Sequence, residues 1–177
     1  MTDILLVFGT DTGNTEEVAE KIQAEFSEFG EVVEIMDVTD CSADRINAAD
    51  ICIFGIPTWD FGGIQEDWED FESELKTAEL AGKKVALYGL GDQLGYGDYF
   101  IDAVGWLHEI IQPMNADIKG YWSVEGYDVA DSRAFSPCRT FFYGLAVDED
   151  QQFDMSDERI KGWVQQIRAE FQLVEAA

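Results

Sequence analysis

Basic residues are scarce in this chain. Eleven Lys and Arg stand against 37 Asp and Glu over 177 residues, a formal net charge of −26. A surface this acidic repels phosphate backbones and anionic lipid headgroups, which makes nucleic acid and membrane surfaces poor partners. Cysteine is scarce too. Cys41, Cys52 and Cys138 are odd in number and never in C-x-x-C spacing, so neither a disulfide framework nor a zinc or iron–sulfur site is indicated, and a reducing cytoplasm is expected. No apolar run approaches the ~20 residues of a membrane span. The N-terminus lacks the basic start and the apolar length of a signal peptide. Histidine occurs once, at His108 within an apolar stripe, where it reads as a packed or surface side chain. No Ser-His-Asp arrangement and no metal-ligand spacing is evident.

What is present is enough apolar material for a core. Hydrophobic residues make up 46% of the chain, and the length fits a single domain, 1–177. Ile4 to Phe8 is uniformly apolar, as expected of a strand buried on both faces. Val18, Ala19, Ile22 and Phe26 then recur at helical spacing, and Gly30 stops that helix. Val32–Val38 predicts a second strand, followed by a connector with a short helix near Ala43–Asn47. Ile51–Ile56 predicts a third strand, closed by Pro57. Trp68, Phe71, Leu75 and Leu80 mark a helix, and Val85–Leu90 a fourth strand. Phe100, Val104, Leu107, His108 and Ile111 mark another helix, ended before Pro113. Ile118–Trp122 and Phe141–Val147 read as strand, with an insertion from about Ser123 to Thr140 between them. Ile160, Trp163, Val164, Ile167 and Phe171 make the last helix, with Ser156 as its cap. Five β-α alternations predict a parallel sheet covered by helices on both faces.

Ligands of such sheets sit at the carboxyl ends of the strands, and three loops leave those ends. The first is Thr10-Asp11-Thr12-Gly13-Asn14-Thr15. It joins a buried strand to a helix N-terminus, whose free N–H groups and dipole favour an anion. Hydroxyls and an amide add neutral donors. No Lys or Arg lies within it, and the spacing is not that of a Walker loop, so a single phosphomonoester fits better than a nucleoside triphosphate. The plain alternative is a polar turn with a Thr cap. The second loop, Pro57 to Gly63, carries Trp59. The Trp either folds over the local core or offers its flat face to a ligand. The third, Gly89 to Asp98, nearly matches G-x-G-x-x-G but has Leu94 where the last Gly belongs. Together they describe a phosphate site, aromatic faces for a planar ring, and exposed backbone for the ring edge.

These motifs are similar to those of the flavodoxin family, long-chain type. The resemblance rests on T-D-T-G-N-T at Thr10–Thr15, P-T-W-D-F-G at Pro57–Gly62, G-L-G-D-Q-L-G-Y at Gly89–Tyr96 and the insertion near strand five. It implies an α/β flavodoxin-like fold, a doubly wound five-stranded parallel sheet with helices on both faces and an insertion at strand five. The strand order 2-1-3-4-5 comes with the resemblance, not from these residues. It also implies a low-potential one-electron carrier of FMN, not an enzyme with its own substrate. Thr10, Asp11, Thr12, Gly13, Asn14 and Thr15 should bind the phosphate. Trp59 and Tyr96 should stack on the ring. Thr58, Asp60, Phe61 and Gly62 should border its N5 side, where a carbonyl at Asp60 can accept a proton-bearing N5. Leu90, Gly91, Asp92 and Gln93 should meet the pyrimidine edge, and Asp148 or Asp150 the ribityl chain. Many members carry Gly directly after the Trp or one position later. Here those positions are Asp60 and Phe61, with Gly first at Gly62.

The acidic run Glu66, Asp67, Glu69, Asp70, Glu72 and Glu74 reads either as a solvated helix face or as a docking surface for basic partners. The implied partners are a basic NADP-dependent flavodoxin reductase and electron-acceptor enzymes, met by a monomer. Two other readings stay open at this point. A flavin-dependent quinone reductase would need a basic cluster for a nicotinamide phosphate near the loops. A signalling receiver domain would need an Asp after strand three, where Pro57-Thr58-Trp59 stands, and a Lys after strand five.

Overall fold

The computed structural model describes residues 2–59, 61–95 and 97–173. The expectations placed on Asp60 and Tyr96 therefore lie outside the described residues. Strand β1 (Ile4–Phe8) is buried along its whole length and sits near the middle of the sheet. It is flanked by β2 (Val33–Asp37) and β3 (Ile51–Trp59), both parallel to it. Strand β5 (Lys84–Leu90) pairs parallel with β3 on the far side. The order is β2-β1-β3-β5-β6, with β6 spanning Asp117–Lys119.

The fifth position is filled in two pieces. Lys84–Ala86 pair with β6, and Tyr88–Leu90 pair with β9 (Leu145–Val147). The chain between leaves the sheet and forms its own antiparallel pair, β7 (Trp122–Ser123) with β8 (Phe141–Phe142). The two long strands expected here are thus each broken in two. The insertion is an excursion from the middle of strand five, with Phe142 fully buried against Phe100, Tyr127 and Phe135.

Alternation along β1 divides the core. Leu5 and Val7 face one layer, with Trp68, Phe71, Val104, Leu107 and Ile111. These come from α3 (Glu66–Leu75) and α4 (Asp102–Ile111). Ile4, Leu6 and Phe8 face the other, with Val18, Ile22, Trp163 and Ile167, from α1 (Asn14–Ser27) and α5 (Ser156–Glu170). A short helix, α2 (Ala43–Ala48), follows β2. Successive strand residues point to opposite faces, so one apolar run serves two layers.

Several boundaries differ from the sequence expectation. Pro57 does not close β3. The strand continues to Trp59, where Thr58 and Trp59 pair with β4 (Gly63–Ile64). The N–H that Pro57 lacks costs nothing irreplaceable here, because the strand's β5 pairing is ending at Leu90. Leu80 lies beyond α3 and Phe100 before α4, though both are buried. Ser156 is the first residue of α5, whose cap position is Met155 and makes no side-chain bond. Gly13, not a Thr, caps α1.

Candidate functional site

The β1–α1 loop is built around one glycine. Gly13 has φ 92°, a left-handed conformation that turns the chain into α1. Its amide donates to Thr10 Oγ1 at 2.9 Å. No side chain caps the helix, so the first-turn N–H groups of α1 remain directed at the loop mouth. The loop is held from below. Gly9 N donates to the Gly55 carbonyl, and the Tyr88 hydroxyl donates to the Thr15 carbonyl at 2.9 Å. Tyr88 passes directly over Gly55, where a Cβ would lie 2.1 Å from its ring. Gly55 is therefore what lets β5 support the loop from within the sheet.

The loop after β3 is mounted on α4. Ile101, the α4 cap, has φ 45° and makes no side-chain cap bond. Instead Thr58 Oγ1 accepts from Ala103 N at 3.0 Å. Trp59 Nε1 is buried and finds no hydrogen-bond partner among the described residues. Phe61 is 77% exposed and meets the Tyr99 ring edge-on at 5.7 Å. Gly62 has φ 85° and lies against the Asp102 carboxylate.

The last two loops are tied together by a fully buried carboxylate. Asp148 accepts from Gln93 N at 3.1 Å, Gln93 Nε2 at 2.8 Å, Asp150 N at 3.1 Å and Gln151 N at 2.9 Å. Asp92 accepts from the amides of Leu94 and Gly95 and from Gln151 Nε2. Burial works against its charge, but these three donors outweigh burial and hold the carboxyl below its ordinary range. Asp150 is pushed upward, first by burial and then by the Asp92 and Asp148 charges.

A cleft of about 380 Å³ opens between these loops, within the range of small-ligand sites. Thr10, Asp11, Thr12, Asn14 and Thr15 line one side. Thr58, Trp59, Leu90, Gly91, Asp92 and Asp150 line the rest, together with Pro57, Tyr99 and Glu149, which the sequence did not single out. Phe61 and Gln93 border a neighbouring hollow instead, with Leu94 and Asp128. The Gln93 side chain is turned to Asp148 and to the Asp128 amide. Gly13 shapes the first loop without lining the cleft, and Gly62 sits behind the second. Asp148 serves as a tie between loops, and Asp150 is the member of the pair that reaches the cleft. Tyr99, one residue past the third loop, is the aromatic side chain from that side that the described residues bring into it. No Lys or Arg is among the described lining residues.

The flavodoxin family model matches residues 6–163. The chain belongs to the flavodoxin family. It is 45% identical over 174 residues to a flavodoxin of Synechococcus elongatus, covering 98% of this chain and all of that one. It is 48% identical over 172 residues to a flavodoxin of Trichodesmium erythraeum, covering 97% and 99%. Flavodoxin 2 of Escherichia coli K12 is 46% identical, with 92% of each chain covered. Among solved structures, a Fusobacterium nucleatum flavodoxin bound to flavin mononucleotide superposes with a TM-score of 0.88 at 25% identity. It covers 96% of this chain and 99% of that one. Flavodoxins are electron carriers, so membership carries with it redox partner proteins in general. Among the described residues no helix is long and apolar enough to cross a membrane.

Proposed function

We propose that this flavodoxin family member carries electrons one at a time on FMN held in the cleft, between a reductase and acceptor proteins. The observation that carries the site assignment is the donor set. Hydroxyls and helix N-terminal amides gather along the cleft's first loop, and Trp59, whose buried indole N–H has no partner among the described residues, lines it too, with no cation among the described lining residues. Neutral donors around a helix N-terminus suit one phosphate. Trp59 and Tyr99 suit a planar ring. Thr10, Thr12, Asn14 and Thr15 would hold the phosphate, Asp150 the ribityl side, and Leu90, Gly91 and Asp92 the ring edge. Bound FMN supplies the redox chemistry.

The protein's share is binding and electrostatics. Asp92, kept charged by its three donors, and Asp150 beside it disfavour added negative charge in the cleft. Each tenfold change in such an equilibrium corresponds to about 59 mV for one electron. That pressure favours a low potential for the last electron. The partner surface we assign is α3, where Glu66, Asp67, Glu69, Asp70, Glu72 and Glu74 crowd one helix. It suits basic partners such as an NADP-dependent flavodoxin reductase, met by a monomer of the long-chain type in a reducing cytoplasm, in keeping with its three free thiols. The quinone reductase reading gains no support from the cleft, which has no basic residue among its described lining, and the receiver reading gains none from the sequence, where no Lys follows β9 until Lys161.

Mass spectrometry of the cofactor released from purified protein tests the assignment, together with a spectroscopic reductive titration. The expected result is FMN and two well-separated one-electron steps. Adenine in the extract, or a single two-electron step, would overturn it.

A further inference from the structure

Of the cleft's acidic side chains, Glu149 has surroundings unlike the rest. It is half-buried, lines the cleft alongside the Thr10–Thr15 loop, and stands between the opening turns of α1 and α5. The groups that face it come from both helices. Glu17 and Lys21 act from α1, and Ser156 and Asp157 from α5. Lys21 is engaged with Asp157 at 3.0 Å, so its charge is shared. Asp148 and Asp150 flank Glu149 on its own loop, Asp148 consumed by four donors. Asp11 lines the same cleft. A carboxylate in this position meets any anion placed at the α1 N-terminus, and no lining cation offsets it.

Resting on the FMN reading above, we propose that Glu149 sets the cleft's selectivity between flavin with a phosphate and flavin without one. Its carboxylate opposes the phosphate, and its protonated carboxyl does not. The mechanism is repulsion across a partly desolvated gap, where the effective dielectric is well below that of water. Burial raises the Glu149 carboxyl above its ordinary range, against the opposing pull of Lys21 and Ser156, and Glu17 and Asp157 add to the rise. A nearby phosphate pushes in the same direction. The uncharged form is thereby reached at higher pH than for an ordinary glutamate.

The test is competition. Holoprotein is equilibrated with a defined mixture of FMN and riboflavin at pH 8 and pH 5, and the bound fraction of each is measured after ultrafiltration. Glu149→Gln should raise the bound FMN-to-riboflavin ratio at pH 8 by about tenfold, within a range of roughly 3–30-fold. That advantage should be smaller at pH 5 than at pH 8, because the raised Glu149 carboxyl takes up its proton earlier on acidification than an ordinary glutamate does. The phosphate's second proton, with a pKa near ~6, weakens the same repulsion in wild type, so the shrinkage reports loss of charge on either partner of the Glu149–phosphate pair, a pair that Glu149→Gln lacks at both pH values. Glu149→Asp, which keeps the charge, should retain the wild-type pH dependence. An unchanged ratio in Glu149→Gln would overturn the proposal, and so would a gain equal at both pH values, which would point to packing. Wild-type protein that binds neither flavin would instead overturn the FMN reading itself.

Discussion

His108 shows how one side chain can link the insertion to solution conditions. It lies on α4, nearly buried, with its ring stacked on Tyr143 at 3.7 Å and Nε2 2.8 Å from the Tyr121 hydroxyl. Tyr121 enters the β7–β8 pair and Tyr143 leaves it, so the imidazole sits at the base of the excursion. Burial lowers the His108 pKa below its ordinary 6.5, while Glu109 pulls it upward. The folded state therefore keeps the neutral ring where the unfolded chain takes up a proton. The stability this contributes is present above pH 6.5 and is lost as pH falls through 6.5 toward the lowered folded value. The slope can reach at most about 1.4 kcal/mol per pH unit. Urea denaturation at pH 7.5 and 5.5 should show wild type losing more stability than His108→Gln on acidification. Equal losses would remove His108 as the cause, because the many carboxylates titrate alike in both proteins.

At the scale of elements, α4 is the joint that the loops share. Its N-terminus has no side-chain cap of its own, and Thr58 supplies the missing acceptor from the end of β3. Thr58→Val keeps the shape and removes that acceptor. It should cost about 1 kcal/mol, as lost caps do, in thermal or urea unfolding measured at a fixed excess of flavin. Unchanged stability would mean that water replaces Thr58 at the Ala103 amide. The same joint marks where sequence reasoning runs out. β1, β3 and β5 were legible because uniformly apolar runs such as Ile4–Phe8 allow little but a doubly buried strand. α1 was legible from Val18, Ala19, Ile22 and Phe26 at one spacing. The insertion was legible in place, from about Ser123 to Thr140, but its internal order was not, because that order comes from distant aromatic contacts, Phe142 on Phe100 and Phe135, that no local pattern encodes. The cleft follows the same rule. Loops one to three were visible as polar, Gly-bearing breaks after apolar runs. Tyr99 and Glu149 were not, since in Val-Asp-Glu-Asp nothing local tells which carboxylate the turn after β9 directs inward and which it buries.

The whole molecule is an anion that must bind an anion and still meet its partners. With a net charge of −26, its field extends over a Debye length of about 10 Å at 0.1 M salt and about 3 Å at 1 M. Inside the cleft that field is a cost, which helix N-terminal amides and hydroxyls offset locally. Outside, on the function proposed above, it should be an asset for encounter with basic proteins, because steering can raise association rates by ~10–10³-fold. α3 follows directly on the β3–β4 hairpin, so its acidic face starts beside the mouth of the cleft. Phe61 and Leu94, both strongly exposed, stand close to that mouth and give a docked partner apolar surface to bury. Charge should then set the rate of approach, with apolar contact holding the docked pair. Stopped-flow mixing with a basic flavodoxin reductase should show electron transfer slowing steadily as salt rises. Reversing Glu66, Asp67 and Asp70 to Lys should lower the low-salt rate toward the high-salt value and leave the flavin spectrum intact. If the rate ignores both salt and the triple reversal, the acidic excess serves solubility alone, and partner choice must rest on the apolar rim around Phe61.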